Sequence, residues 1–122
     1  MSAIATARAE LVAALEAIDA KVTDHVPERL NPPAAMVVHG SPLLESGATF
    51  GSHLVRFEVW LVSKLGANAR MTDDLDALIE SALTALVADD WGIESVAQPF
   101  TYAVNNASFL ASTITVTTSI NL

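Results

Sequence analysis

Three histidines and a short run of aspartates are the side chains of this chain best suited to bind a metal. His25, His39 and His53 each lie at an end of a predicted strand, and no two of them have the i, i+4 spacing of helical zinc ligands. The aspartates of "DDLD" (residues 73–76) lack the fixed glycine and the distal glutamate of a calcium loop. They also open a predicted helix, where the helix dipole favours anions. We therefore expect no metal site.

Catalytic motifs are missing from the sequence. It contains no G-x-S-x-G nucleophile motif and no phosphate-binding loop with its lysine. Cysteine is absent, which excludes disulfide bonds and thiolate zinc sites. A catalytic carboxylate pair would have to be assembled from acids on helix surfaces, which are usually just solvated. We expect a protein that is not an enzyme, with no catalytic residues and no cofactor.

The charge balance limits the possible partners. The 122 residues carry a net charge of −8, and the 6 basic residues are scattered along the chain. A nucleic-acid-binding surface needs clustered lysine and arginine, so we expect no specific binding of DNA or RNA. Hydrophobic residues make up 52% of the chain and charged residues 16%, which is more apolar than an average domain. Because a small domain has little interior, we expect partner chains to cover part of this surface.

The last part of the sequence, residues 95–122, contains no charged residue. It is rich in Thr, Ser and Asn and lacks the run of about 20 apolar residues that a membrane-spanning helix needs. The N-terminus shows no basic segment followed by an apolar run, as a secretory signal would. We therefore expect strands in this part of the chain and no association with a membrane.

Two segments have the apolar spacing of helices. Residues 3–19 place Ile4, Leu11 and Leu15 on one face. In the second helix Thr72 is the predicted N-cap, Asp73 and Asp74 occupy the first turn, and the helix ends near Asp89. Its predicted buried stripe consists of Leu75, Leu78, Ile79, Ala82, Leu83, Leu86 and Val87.

The remaining segments favour strands. "KVTDHVP" (21–27) predicts a short strand, and "AAMVVHG" (34–40) a strand covered on both faces that Gly40, Ser41 and Pro42 end at once. "SHLVRFEVWLVSK" (52–64) alternates regularly. Its core face carries Val55, Phe57, Val59 and Leu61, and its other face Leu54, Arg56, Glu58, Trp60 and Val62.

The C-terminal part predicts a hairpin of two strands. The strands are residues 93–104 and 107–120. They flank Asn105-Asn106, which suits a tight turn and places Tyr102 opposite Phe109. The predicted order is α-β-β-β-α-β-β in a single domain, residues 1–122. We expect an α+β fold in which two helices pack on one face of a five-stranded sheet, mixed or antiparallel.

Several large apolar residues fall outside the expected helix-packed core. They lie in the predicted loop 41–51, on the second face of the strand 52–64 and near the hairpin turn, and uncovered strands of this kind invite pairing with other chains. We predict that these positions form an interface with other chains; they are Leu43, Leu44, Phe50, Arg56, Glu58, Trp60, Tyr102 and Phe109.

A family resemblance runs through nearly the whole chain. "DHVPERLNPPAAMVVHGSPLLE", "GSHLVRFEVWLVSK", "TDDLDALIESALTAL" and "WGIESVAQPFTYAVNNASFLASTITVTTSI" resemble the tail terminator (minor tail, head–tail joining) proteins of long-tailed actinobacteriophages. The likeness is a distributed pattern without a short diagnostic motif. The predicted order of helices and strands also resembles the fold of other siphophage terminators.

The resemblance implies a structural virion protein. Such terminators form a ring, as a rule a hexamer, on the last ring of the tail tube, stop its polymerisation and present a surface to the head connector. The resemblance also implies assembly in the host cytoplasm and a final location at the head–tail junction. DNA then passes through the ring without specific binding. Repulsion of phosphates by an acidic lumen or ring surface fits this role. We predict that some of five acids lie there: Glu45, Glu58, Asp89, Asp90 and Glu94.

Two other interpretations stay open at this point. A neighbouring head–tail completion protein is similar in size and also forms rings. A small-ligand-binding or catalytic α+β domain, from a different class, predicts a monomer or dimer whose pocket holds convergent polar groups.

Overall fold

A computed structural model describes most of the chain, and all structural statements below concern the described residues. These are residues 2–25, 32–47, 50–63, 68–104 and 107–121. The elements in chain order are α1 (Ala3–Leu15), β1 (Lys21–Thr23), β2 (Ala34–Ser46), β3 (Ser52–Val62), α2 (Asn68–Ala88), β4 (Gly92–Val96), β5 (Phe100–Val104) and β6 (Ala107–Asn121).

The strands form one mixed sheet. Its order is β1-β2-β3-β6-β4, and β5 pairs with β6 along the same edge as β4. The β1–β2 pair is parallel and all the other pairs are antiparallel. The predicted α+β class is confirmed, but the sheet has six strands where five were expected.

The additional strand arises because the predicted strand 93–104 is interrupted. It is divided into β4 and β5 at residues 97–99, where Pro99 has no N–H to give to a ladder. Two hydrogen bonds hold the interruption against β6: the Ala97 N–H donates to the Thr113 carbonyl over 2.8 Å, and the Ser112 hydroxyl donates to the Ala97 carbonyl over 2.7 Å. β4 and β5 therefore follow one edge of β6 in succession.

Strand β2 also differs from the prediction. It does not end at Gly40–Pro42 but continues to Ser46, so residues 41–46 of the predicted loop lie in a strand. The pairing with β3 skips from His39 to Leu44, which places Pro42 in a bulge where no ladder N–H is required. The hydrogen-bonded pairing with β3 on both sides of the bulge therefore keeps these residues in the strand, although their sequence favours a turn.

The bounds of the helices differ as well. α2 is already helical at Asn68, so Thr72 lies inside the helix, and its predicted role as N-cap is wrong. Asp73 and Asp74 follow in the second turn. The good helix formers Ala69 and Arg70 explain why the helix extends in the N-terminal direction. α1 ends at Leu15 rather than at residue 19, and the Ser2 hydroxyl caps its start by accepting a hydrogen bond from the Ala5 N–H over 3.0 Å.

The main core lies between the two helices and one face of the sheet. The predicted core face of β3 is confirmed, because all four of its side chains are fully buried. Both helices contribute their apolar stripes to this core, and Val87 is the exception, with 63% of its surface exposed. The residues that the helices bury are Ala7, Leu11, Leu15, Leu75, Leu78, Ala82 and Leu86.

Two adjacent residues near the end of α2, one buried and one exposed, allow a test of which helix side chains belong to the core. Leu86→Ala leaves a cavity in the main core, and we expect it to lower the free energy of unfolding by about 2–5 kcal/mol. Val87→Ala removes an exposed side chain, and we expect a change within about 0.5 kcal/mol. Urea unfolding of both variants measures the difference. Equal losses of stability would contradict the assignment of Leu86 to the core and of Val87 to the surface.

Candidate interaction face

The sheet face opposite the helices is the candidate functional surface. Alternate side chains of β3 point to it, as do their partners on the neighbouring strands. We call this surface the helix-free face. Because both described helices pack on the other side of the sheet, the helix-free face depends on its own side chains for cover.

One end of the helix-free face carries a second apolar cluster, separate from the main core. Trp60 is its centre and meets two rings edge to face, Phe100 at a centroid distance of 5.5 Å and Tyr102 at 5.6 Å. Edge-to-face contacts at such distances are favourable beyond the area that they bury. We call this group the hairpin cluster. Its members are Met36, Trp60, Val62, Phe100, Tyr102, Ala107, Phe109 and Ala111.

The β5–β6 hairpin supplies the part of this cluster that extends past the end of β3. Tyr102 pairs with Phe109, as the sequence predicted. The ladder between β3 and β6 ends at Val62 and Ala111, and one further hydrogen bond of 2.9 Å runs from the Ser63 N–H to the Leu110 carbonyl. The predicted turn at residues 105–106 lies outside the described residues. Phe109 is buried, whereas the rings of Trp60 and Tyr102 stay half-buried and reach the surface.

Glu58 lies beside the hairpin cluster. Its Oε1 atom accepts a hydrogen bond of 3.2 Å from the indole Nε1–H of Trp60. Its partners on the two neighbouring strands are Val38 and Thr115, neither of which carries a charge. Among the described residues Glu58 forms no ion pair.

Arg56 dominates the other end of the helix-free face. Its guanidinium joins three strands: Nη1 donates to Glu45 of β2 over 2.6 Å, and Nε donates to Glu94 of β4 over 2.8 Å. A third hydrogen bond of 2.9 Å goes from Nη1 to the Pro42 carbonyl in the bulge of β2. Only 9% of the Arg56 side chain is exposed, against nearly half of each carboxylate. We call this arrangement the arginine clamp.

A glycine at the start of the bulge in β2 leaves room for the Arg56 side chain. A Cβ atom at Gly40 would lie 2.5 Å from Cγ of Arg56 and 2.9 Å from its backbone carbonyl oxygen. Only a glycine allows β2 to approach the arginine stem so closely. The Pro42 carbonyl in the bulge then accepts a hydrogen bond from the guanidinium.

The clamp fixes the charge of its arginine. Hydrogen bonds to Glu94 and Glu45 raise the pKa of Arg56 above its already high ordinary value. A raised pKa means that the stabilising charge is present at every pH below the ordinary value. The clamp therefore does not open through titration of Arg56 near neutral pH.

The other residues of the predicted interface lie in different surroundings. Leu43 and Leu44 pack against the main core, so a polar substitution there would also disturb the fold. Phe50 lies in the turn between β2 and β3 and is fully exposed. The structure thus brings Glu58, Trp60, Tyr102 and Phe109 together, and leaves Phe50 at the far end of β3. Arg56 is placed inside the clamp.

The acids predicted to line a lumen lie in two different places. Glu45 and Glu94 are held by Arg56. Asp89 and Asp90 follow α2 and are exposed. Asp89 accepts a hydrogen bond of 3.3 Å from the Trp91 indole N–H, and Asp90 has a φ of 61°, in the left-handed region where a helix commonly ends.

The histidines are spread over the structure. His39 lies 2.6 Å from Arg8 through its Nε2 atom, and the Nδ1 atom of His53 is buried with no hydrogen-bond partner among the described residues. The hydrogen bond between His25 and Asp24, 2.6 Å long, lowers the pKa of that aspartate. Within the described part of the chain, no three His, Asp or Glu side chains are placed to hold a metal ion. No helix there is long and apolar enough to span a bilayer.

The arginine clamp is the feature of this face that sequence reasoning missed. Arg56 was recognised as a charge on a strand face, but its partners lie 11 and 38 residues away in the chain. No local spacing indicates such a contact. The available signal was Gly40 within an otherwise apolar strand, since an isolated glycine there often marks a bulge or a close approach of the backbone.

Removing the clamp should loosen the helix-free face. Arg56→Ala deletes both ion pairs and leaves the Pro42 carbonyl without its donor, so we expect a clear fall in Tm. Glu45→Gln and Glu94→Gln each remove one pair and should lower Tm less. Arg70→Ala, an exposed arginine of α2, is the matched control, and thermal unfolding at neutral pH compares the four. A Tm for Arg56→Ala equal to that of the control would contradict a structural role of the clamp.

Comparison with known proteins adds no family. The sequence matches no protein-family model and no curated protein. The functional assignment therefore depends on the helix-free face and on the sequence resemblance described above.

Proposed function

We propose that this protein is a tail terminator of a long-tailed phage, which caps the tail tube as a ring and forms the joint to the head connector. The observation that carries the proposal is the hairpin cluster, an aromatic surface on a sheet face without a helical layer. Such a surface is typical of a protein that functions by contacting other chains. The sequence resemblance indicates which chains these are.

A closed ring requires two different patches on each subunit. The hairpin cluster and Phe50 are two apolar features at opposite ends of β3. An extended strand of this length, Ser52–Val62, spans roughly 33 Å. This separation suits a head-to-tail contact, in which one end of a subunit meets the other end of its neighbour.

The charge of the chain fits the passage of DNA. Each copy carries a net charge of −8, and six copies, the expected number, multiply it sixfold. The exposed Asp89 and Asp90 add local negative charge at the end of α2. Phosphates near such a surface are repelled, so DNA would move through the ring without specific contacts.

The direct test of this function is addition of the purified protein to polymerising tail tubes of its phage. A terminator binds the tube end and stops growth, so we expect uniform capped tubes in negative-stain electron micrographs, with a ring at one end. Tubes that keep growing without a bound ring would contradict the proposal. Binding to the head connector alone would instead favour a head–tail completion protein.

Phe50→Ser tests the contribution of the turn between β2 and β3. Because Phe50 is fully exposed, the substitution should leave Tm unchanged and reduce the fraction of capped tubes at least fivefold, since a central aromatic contact commonly contributes about 1–2 kcal/mol. Val87→Ser is the matched control, because Val87 is also exposed and large but lies on α2. Equal capping by the two variants would remove Phe50 from the interface.

A further inference from the structure

Glu58 and the neighbouring rings form a site with unused binding capacity. The carboxylate has one described hydrogen bond, the one from Trp60, although a carboxylate can accept several. The rings of Trp60, Phe100 and Tyr102 are half-buried, so part of each is accessible to a partner. A negative charge and aromatic surface therefore lie next to each other on the helix-free face.

This combination selects a cation. The face of an aromatic ring carries negative electrostatic potential and attracts a guanidinium or ammonium group. A carboxylate beside the rings adds a charged acceptor. Arginine uses both features best, because its planar guanidinium stacks on a ring while its N–H groups reach a carboxylate.

The arginine clamp shows that the chain itself supplies a guanidinium to carboxylates on this face. Glu45 and Glu94 receive Arg56, whereas Glu58, on the same strand as Arg56, receives no basic side chain from the described residues. Of the other described basic side chains, Arg8 contacts His39, and neither Lys21 nor Arg70 forms an ion pair with Glu58. Within the described part of the chain, Glu58 therefore has no cationic partner, and its carboxylate can accept hydrogen bonds from a basic group of another protein.

We propose that Glu58, Trp60 and Tyr102 bind an arginine side chain on the surface of a basic partner protein. The net charge of −8 favours a partner of opposite charge over a second copy of this chain. The guanidinium lies against the exposed aromatic surface and donates to Glu58. Trp60 and Tyr102 also belong to the hairpin cluster, on which the proposed function rests. Binding of a free arginine side chain is measured without tail tubes, so the two proposals can fail separately.

The test uses Nα-acetyl-arginine methylamide as the probe, followed by NMR of the Trp60 indole N–H. Trp60→Phe identifies this signal against that of Trp91. We expect a saturable shift of the Trp60 signal with the arginine probe and a much smaller one with the neutral citrulline analogue. Glu58→Gln should weaken the affinity for the arginine probe roughly threefold, as loss of one exposed charge pair does.

Glu80→Gln is the matched control, because it removes an exposed carboxylate from α2 and should leave the titration unchanged. Amide spectra of each variant show that it is folded. Equal shifts with the arginine and citrulline probes would overturn the proposal. A Trp60 shift that depends on protein concentration without any probe, and disappears in Glu58→Gln, would overturn the assignment to a separate basic partner and identify a second copy as the occupant.

Discussion

Burial of one face of β3 against two helices is the constraint on which the rest of the structure depends. Val55, Phe57, Val59 and Leu61 take that face completely, and strand alternation then forces their neighbours to the other side. No described helix packs on that side. Among the described residues, the polar and aromatic side chains of β3 are therefore covered on this surface only by side chains of the sheet itself.

The two ends of the helix-free face are stabilised by different interactions. At one end the arginine clamp ties β2, β3 and β4 together through charge, and the bulge of β2 closes over it. At the other end the hairpin cluster packs rings against each other and leaves part of their surface accessible. The clamp joins the three strands, and the hairpin cluster is the proposed contact surface. Rings that already pack against each other have less conformational freedom to lose when a partner binds, which lowers the entropic cost of binding.

Local patterns predicted the elements with strong periodicity. The two faces of β3, the buried stripe of α2 up to Leu86 and the Tyr102–Phe109 pair are all present as expected. The predictions failed where contacts between residues far apart in the sequence determine the structure. Residues 40–42 have the sequence of a turn, but pairing with β3 extends β2 beyond them to Ser46. The clamp joins residues far apart in sequence, which no spacing rule reveals.

The central claim is that a partner covers the helix-free face in the assembled particle. Hydroxyl-radical footprinting of Trp60, Phe100 and Tyr102 tests it directly, comparing the isolated protein with protein bound to tail tubes. The account predicts a strong fall in oxidation of these rings on assembly, while exposed side chains of α2 stay as reactive as before. Unchanged oxidation of the three rings in the bound protein would contradict it.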